Sequence, residues 1–259
     1  MVLRRRVPRL ARLVALAAAA VVTGLSFATP AQAVANGTPV PEGRYRFAVK
    51  LTMTDIPRPD GSHYDSACSA GLVSPWWIIT AGHCFHDVNR NPISGPVPYA
   101  TTATVGRADL SHDHLGHVVD VVSVQQSPSN DIALAKLARP VYDVAPLRLP
   151  QKAPQAGDVL RIAGWGALSD VDAKPATHLQ TGQFKVASVA ATTVGVQGYR
   201  PDPDTSACLY DSGAPYFAEH GPIAVLVSVE SNGPACPHAQ VETTARVDGL
   251  TGWIRTTIR

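Results

Sequence analysis

The prediction of fold and function depends on one stretch of this 259-residue sequence, Ser206-Ala207-Cys208-Leu209-Tyr210-Asp211-Ser212-Gly213-Ala214-Pro215. Within it, Asp211-Ser212-Gly213 puts a hydroxyl beside a carboxylate on a turn that glycine can tighten. A serine hydroxyl is a weak nucleophile unless a base, a group that orients the base and donors for an oxyanion accompany it. Without these partners Ser212 is an ordinary turn residue.

The first 33 residues are predicted to be a secretory signal peptide. Five arginines precede an apolar run from about Leu13 to Ala28, and Ala31-Gln32-Ala33 supplies small residues at the positions that a signal peptidase reads. A transmembrane anchor is the alternative, but Thr23 and Ser26 interrupt a run that is already short for a span. We therefore expect a secreted, extracellular protein.

Removal of this segment changes the charge of the chain. Taking its five arginines from the 22 basic residues leaves 17 against 20 acidic residues, a net charge of about −3. Neither nucleic acid nor a membrane surface is therefore predicted as a partner. The 45% hydrophobic content and the remaining length suit one large all-β domain or two small ones.

Four cysteines remain, namely Cys68, Cys84, Cys208 and Cys236. In an exported protein an even number predicts two disulfides, for which three connectivities are possible. Sequential pairing would join Cys68 to Cys84 and Cys208 to Cys236, each closing a local loop. A metal site is disfavoured because no Cys-x2-Cys spacing occurs.

Short apolar or β-branched runs recur between clusters of turn-forming residues. They include Phe47-Ala48-Val49-Lys50-Leu51, Trp77-Ile78-Ile79-Thr80, Val118-Val119-Asp120-Val121-Val122, Ile132-Ala133-Leu134-Ala135, Val159-Leu160-Arg161-Ile162-Ala163 and Ile223-Ala224-Val225-Leu226-Val227. Many short strands with frequent turns predict an antiparallel sandwich or barrel. Helical periodicity occurs only at the end, where Asp248 is predicted to cap a short helix.

Two further segments supply candidate partners for the serine. Thr80-Ala81-Gly82-His83-Cys84 ends an apolar strand with a histidine, and Ser129-Asn130-Asp131-Ile132-Ala133-Leu134 starts another strand with an aspartate. Each has an ordinary alternative, since His83 can be structural and Asp131 a turn residue. An acid that leads into an apolar run nevertheless needs a hydrogen-bonded partner to stay charged.

With these motifs together, the sequence resembles the chymotrypsin/trypsin family of serine proteases over essentially all of residues 34–259. The chain order His83, Asp131, Ser212 fits this family and not the α/β-hydrolases. Gly164-Trp165-Gly166 is a further match.

The resemblance implies an all-β fold of two antiparallel six-stranded Greek-key barrels. We expect them at roughly residues 34–145 and 146–247, with the active site in the cleft between them and a short C-terminal helix at 248–259.

The implied chemistry is hydrolysis of peptide bonds through an acyl-enzyme. Ser212 attacks the carbonyl, His83 takes its proton, and Asp131 orients the imidazole. The backbone N–H groups of Tyr210 and Ser212 would bind the oxyanion. Expected partners are polypeptide substrates and protein protease inhibitors; we expect a monomer with no cofactor and no metal.

Cleavage after Ala33 would expose Val34-Ala35-Asn36-Gly37, which resembles the mature N-terminus of the family. The resemblance implies that the new α-amino group of Val34 inserts beside Asp211, because a buried carboxylate needs a counter-charge. Signal peptidase itself is then expected to activate the enzyme.

The resemblance puts Ser206 at the base of the substrate side-chain pocket and Glu242 on its far wall. Ser228-Val229-Glu230 is predicted to be the strand that pairs with the substrate backbone. Two carboxylates near a serine floor favour lysine or arginine at the cleaved residue. Because both replace glycine, they could equally narrow or close the pocket.

Two features leave alternatives open. Tyr210 stands where the family has glycine, which favours a protease-like binding protein with weak or no turnover. The second feature is a group of three histidines, His112, His114 and His117, that could ligate a metal. A solvated loop is predicted instead, because no strong second anchor is visible.

Overall fold

The computed structural model describes residues 34–259 together with Val2. The rest of the predicted signal peptide lies outside the described residues.

Within residues 34–259 the fold contains fourteen strands and one short α-helix. In chain order they are β1 (Thr38–Pro39), β2 (Ala48–Pro57), β3 (His63–Ser74), β4 (Trp77–Thr80), β5 (Gly95–Pro96), β6 (Thr101–Val105), β7 (His117–Gln126), β8 (Ala133–Leu137), β9 (Val159–Gly164), β10 (Gln180–Val189), β11 (Thr193–Arg200), β12 (Pro215–His220), β13 (Ile223–Asn232), β14 (Glu242–Arg246) and α1 (Thr251–Thr257).

The first barrel contains six strands in the order β7-β6-β2-β3-β4-β8, and β8 pairs back onto β7. All of these pairings are antiparallel, and the two-residue strand β5 adds to the outer side of β7. Closure leaves none of the six strands with an unpaired edge. Fully buried apolar side chains, including Leu51, Leu72 and Ile79, fill the interior.

The second barrel follows the order β10-β11-β14-β13-β12-β9, and β9 pairs back onto β10. Leu160, Phe184 and Val196 are among the buried residues of its interior. The prediction of two closed six-stranded antiparallel barrels and a short C-terminal helix is confirmed.

The N-terminal segment departs from the predicted barrel boundaries. Strand β1 pairs with β10 of the second barrel, and Ala35 forms an isolated bridge with Ser206. Val34 and Ala35 are completely buried there. This segment precedes the first barrel in the chain but packs on the second, because its apolar residues complete that barrel's core.

Aromatic packing and main-chain hydrogen bonds join the barrels. The ring of Phe217 in β12 packs edge-on against Tyr45 and Phe47, with centroids 5.2 and 5.1 Å away. A second contact between the barrels is a hydrogen bond from Asn130 Nδ2 to the carbonyl of Arg246 at 2.8 Å. These contacts fix the first barrel against the second and so fix the cleft between them.

The C-terminal helix is shorter than predicted, and Asp248 does not cap it. Its carboxylate accepts hydrogen bonds from Arg246 at 2.5 and 2.7 Å, and no side chain caps α1. The guanidinium of Arg246, two residues away, offers Asp248 two charge-assisted hydrogen bonds, which are stronger than one bond to a backbone N–H.

Candidate active site

His83 lies in a 3-10 turn, Gly82–Cys84, directly after β4. The neighbouring Cys84 is joined by a disulfide to Cys68 of β3, which ties the turn to the barrel wall. Glycine is needed at position 82 because a Cβ there would lie 2.6 Å from Gln126 Oε1 and 3.0 Å from Asp131 Oδ1.

Asp131 holds the imidazole from the adjacent segment. Its Oδ1 accepts from the backbone N–H of His83 at 2.8 Å, and its Oδ2 lies 2.8 Å from His83 Nδ1. A third donor, the hydroxyl of Ser231, reaches Oδ2 at 2.7 Å. A carboxylate only accepts, so Nδ1 carries a proton and Nε2 is left to act as a base.

Burial raises the pKa of Asp131, but the hydrogen bonds and charge of His83 and the hydroxyl of Ser231 act more strongly in the other direction. The resulting pKa lies below its ordinary value. Asp131 is therefore ionised at neutral pH and stabilises a positive charge on His83.

Ser212 is held by the first barrel although it belongs to the second. The backbone N–H of Ser69 donates to the carbonyl of Ser212 at 2.9 Å. The next residue must be glycine, because Gly213 has a φ of +82° and a Cβ there would collide with Thr80 Oγ1 and the carbonyl of Ser69. Contact between the barrels thus sets the position of the serine.

His83 and Ser212 line the same cavity of about 250 Å³, together with Tyr210 and Leu209. Within residues 34–259 no hydrogen bond joins the imidazole of His83 to the hydroxyl of Ser212. Such contacts often shorten only when substrate is bound. The fold places His83 in contact with Asp131 and on the wall of a cavity that Ser212 also lines.

Tyr210 adopts a φ of +75°, a conformation that residues other than glycine rarely take. Its carbonyl accepts from the hydroxyl of Ser69 at 3.1 Å. The Ser69 hydroxyl in turn accepts from the backbone N–H of Trp165 at 2.9 Å. The turn before Ser212 thus keeps the glycine-like backbone with a tyrosine side chain in place.

Asp211 is completely buried and accepts three backbone hydrogen bonds. Gly166 N–H donates to Oδ1 at 2.8 Å, Cys208 N–H donates to Oδ2 at 3.0 Å, and the backbone N–H of Val34 also donates to the carboxylate. Burial nevertheless raises the pKa of Asp211 to about 7. Val34 and Asp211, predicted to form a pair, lie together, and among residues 34–259 no positively charged group pairs with Asp211.

A second cavity of about 310 Å³ opens beside Ser212. It lies between the segment after Ala207 and the segment Glu230–Cys236, and the disulfide Cys208–Cys236 closes one side. Both disulfides follow the sequential pairing. Of the four residues predicted to bind substrate, only Glu230 lines this cavity.

Ser228 does not occupy the predicted position at the cleft. It is completely buried between β12 and β14, where its hydroxyl accepts from Thr244 Oγ1 at 2.7 Å. Val229 is completely buried as well. The segment that borders the cavity begins at Glu230 and continues through Ser231-Asn232-Gly233. Of the predicted substrate-pairing residues Ser228-Val229-Glu230, only Glu230 borders the cavity, and the prediction for Ser228 is wrong because its side chain is packed inside the barrel.

Ser206 and Glu242 are also buried, behind the cavity. The Ser206 hydroxyl accepts from the backbone N–H of His238 at 3.2 Å. Glu242 accepts from Ala207 N–H and from the hydroxyl of Tyr216, both at 2.6 Å. Neither residue lines the cavity.

The carboxylates of Glu230 and Glu242 lie close enough to influence each other. Burial, followed by the charges of Glu242 and Asp211, raises the pKa of Glu230 well above its ordinary value. Burial raises the pKa of Glu242 to about 7. Glu230 Oε2 is buried and has no hydrogen-bond partner among residues 34–259. Glu230 thus lines the cavity with one carboxyl oxygen that is buried and lacks a donor.

Sequence reasoning missed Ser231 as the third donor to Asp131. Its position can be found by counting back from Cys236, because the disulfide to Cys208 fixes that cysteine beside the serine loop. Tyr216 was missed too, and no sequence signal singles it out, since its role depends on packing against Glu242.

The three histidines proposed as an alternative metal site are engaged separately. His112 Nδ1 lies 3.2 Å from Glu42, and His117 Nε2 lies 2.6 Å from Asp143. Within the described part of the chain no group of three histidine, cysteine or acidic side chains is arranged to hold a metal ion.

None of the helices in the described part of the chain has the length and apolar character needed to span a bilayer.

Comparison with known proteins gives the family. The sequence model described as Trypsin matches residues 34–254. Similar proteins include kallikrein 1-related peptidase b5 of Mus musculus, 27% identical over 212 residues that cover 74% of this chain and 80% of the relative. Tonin of Rattus norvegicus is 26% identical over 73% of this chain and 79% of its own length.

Glucanase inhibitor protein 1 of Phytophthora sojae is 28% identical over 247 residues, which cover 87% of this chain and 89% of the relative. The family model spans both barrels and reaches into α1. This chain therefore belongs to the trypsin family and is a serine endopeptidase.

Proposed function

We propose that this chain is a secreted endopeptidase in which Ser212 is the nucleophile, His83 the general base and Asp131 the group that orients it. The observation that carries the proposal is the pair of 2.8 Å contacts between His83 and Asp131 at the edge of the cavity that Ser212 lines. Ser212 Oγ would attack the peptide carbonyl as His83 takes its proton, and His83 would then protonate the leaving amine.

The oxyanion would be stabilised by the backbone N–H groups of Tyr210 and Ser212. The positive φ of Tyr210 supports this role, because the backbone keeps the form that glycine would take. Fixed donors aimed at a developing negative charge contribute strongly to catalysis in a site shielded from water.

The pair of Val34 and Asp211 supports activation by signal peptidase. Cleavage after Ala33 would convert the Val34 N–H, which already contacts the carboxylate, into a charged amino group. N-terminal sequencing of the secreted protein is the test, and an active chain that starts elsewhere than Val34 would exclude this route.

Preference for lysine or arginine at the cleaved residue is supported by Glu230, an acidic side chain in a cavity that opens beside Ser212. Polypeptides are the substrates of this family, and a set of peptides that differ only at the cleaved residue tests the preference. Faster cleavage after phenylalanine or leucine would contradict it.

The experiment that decides the function is labelling with a fluorophosphonate, followed by peptide hydrolysis. We expect rapid covalent labelling of the wild-type protein and none of Ser212→Ala, since only a serine activated by its base acylates quickly. A folded Ser212→Ala variant with full peptidase activity would reject the proposal.

A second candidate is a protease-like binding protein with weak or no turnover. Two observations favour it: the tyrosine at position 210 and the likeness to a protein named as a glucanase inhibitor. In that case wild-type protein would fold and bind a protein partner but would not be labelled by the fluorophosphonate.

A further inference from the structure

The cavity beside Ser212 presents Glu230, and not Ser206, to an entering side chain. Glu230 is 4% exposed and its Oε2 has no partner among residues 34–259, whereas the hydroxyl of Ser206 is bonded to the backbone of His238 behind the cavity. A buried acceptor without a donor costs free energy, and a donor from a ligand would recover it.

Glu230 and Glu242 differ in how well hydrogen bonds offset their burial. The hydroxyl of Tyr216 and the backbone N–H of Ser231 lower the pKa of Glu230, but burial and the charges of Glu242 and Asp211 act more strongly in the other direction. Glu242 accepts from Ala207 N–H and from the hydroxyl of Tyr216, both at 2.6 Å, and such bonds stabilise the ionised form. Two adjacent carboxyl groups out of water do not both ionise readily. The proton therefore belongs on Glu230.

The other titratable groups around this pair do not alter that balance. Asp211 adds negative charge from the serine loop, and Asp170 lies at the exposed rim of the cavity. His238 Nε2 is 3.5 Å from Glu242 Oε1 without forming a hydrogen bond, and burial lowers the pKa of His238, which keeps it neutral. Along the described lining of the cavity there is no lysine or arginine.

We propose that Glu230 is the residue that determines specificity, and that it holds a proton in the free enzyme and releases it when a lysine or arginine side chain enters the cavity. The inference rests on the proposed function, because it concerns the cavity next to the reacting serine. When the basic side chain enters, the O–H bond of the Glu230 carboxyl group breaks and its proton passes to solvent. The carboxylate that remains pairs with the substrate cation.

Because binding of a basic side chain is coupled to proton release from Glu230, substrate preference depends on pH. Below the pKa of Glu230 in the free enzyme, binding of a basic residue must expel a proton, whereas binding of an uncharged residue need not. The preference for lysine over an uncharged residue should therefore rise by about tenfold per pH unit below the pKa of Glu230 and level off once Glu230 is ionised beforehand.

The test uses two peptides that differ only at the cleaved residue, lysine in one and norleucine in the other. Norleucine keeps the four-carbon chain without the ammonium group. Dividing the two kcat/KM values at each pH removes the pH dependence that both reactions share. A ratio that rises with pH and then levels off supports the inference, and a ratio that stays constant overturns it.

Two isosteric variants identify the groups. Glu230→Gln should abolish the pH dependence of the ratio and most of the lysine preference. Glu242→Gln removes the neighbouring negative charge, so the rise should move to lower pH and lysine preference at neutral pH should increase. A Glu230→Gln enzyme that keeps the rise, or a Glu242→Gln enzyme whose rise does not move, would contradict the assignment.

Binding without turnover separates this inference from the proposed function. In weakly buffered solution at neutral pH, benzamidine should release about one proton per molecule bound, in wild type and in Ser212→Ala alike. Binding without proton release overturns the inference even if fluorophosphonate labels Ser212. Absence of labelling rejects the proposed function instead. The proton measurement then still tests whether Glu230 releases a proton on binding.

Discussion

The hydroxyl of Ser231 donates a 2.7 Å hydrogen bond to Asp131 Oδ2, the same oxygen that faces His83 Nδ1. The two residues are 100 positions apart, one on each barrel. Relative movement of the barrels would therefore break a bond to the carboxylate that orients the imidazole. The histidine is thus coupled to the packing of the whole molecule.

Ser231→Ala should lower kcat/KM by about tenfold, because a hydrogen bond to a charged group is worth about 1.5 kcal/mol or more. The matched control is Ser228→Ala, which removes a buried hydroxyl bonded to Thr244 and should reduce stability by about 1 kcal/mol with little effect on kcat/KM. Steady-state kinetics and urea unfolding of both variants check this. If Ser228→Ala lowered kcat/KM and Ser231→Ala lowered only stability, Ser228 and not Ser231 would be the serine at the cleft.

Replacement of Tyr210 separates backbone strain from crowding. Tyr210→Gly should relieve the φ of +75° and clear the leaving-group side, so kcat/KM for a long peptide should rise several-fold. Tyr210→Ala clears the same space but leaves a Cβ at positive φ. If both variants gain equally, crowding is the cause; no gain in either would mean that the tyrosine does not limit turnover.

Asp211 predicts a difference in pH dependence between two forms of the chain. Its pKa is raised to about 7 when Val34 is part of a peptide bond, so the folded state takes up a proton that the unfolded state releases. In a chain that keeps Ala33, stability should therefore fall as the pH rises from about 4 to about 7, by roughly 4 kcal/mol from this group.

In a chain that begins at Val34, the charged amino group should lower the pKa of Asp211 and remove that fall. Urea unfolding of both chains across the pH range gives the difference, and every other group titrates in both. Identical pH profiles would show that the amino group does not pair with Asp211.

The disulfide Cys68–Cys84 closes a loop of 16 residues next to His83. Replacing both cysteines by alanine should reduce the free energy of unfolding by about 3 kcal/mol and should lower kcat, because the turn that carries His83 loses its covalent link to β3. Replacement of Cys208 and Cys236 should instead raise KM more than it lowers kcat, since that bridge borders the substrate cavity. Equal effects of the two double variants on kcat and KM would contradict this division.

By itself the sequence predicted an antiparallel sandwich or barrel and identified His83, Asp131 and Ser212 as candidates, because strands that alternate with turns and an acid at the start of an apolar strand are short-range signals. The two six-stranded barrels were implied by the resemblance to the chymotrypsin/trypsin family. Sequential pairing of the cysteines was one of three possible connectivities, and the structure shows that it is the one formed.

Only the tertiary structure decided which residues surround the substrate cavity. Ser228 and Ser231 lie on the same strand and both carry hydroxyls, and which of them faces Asp131 depends on strand register and on the irregular pairing between Glu230 and Asn232. Likewise Glu242 gains its hydrogen bond from Tyr216, and Val34 contacts Asp211, only because distant segments pack together. A linear sequence specifies which groups are present, but register and packing set the distances on which their charges and protons depend.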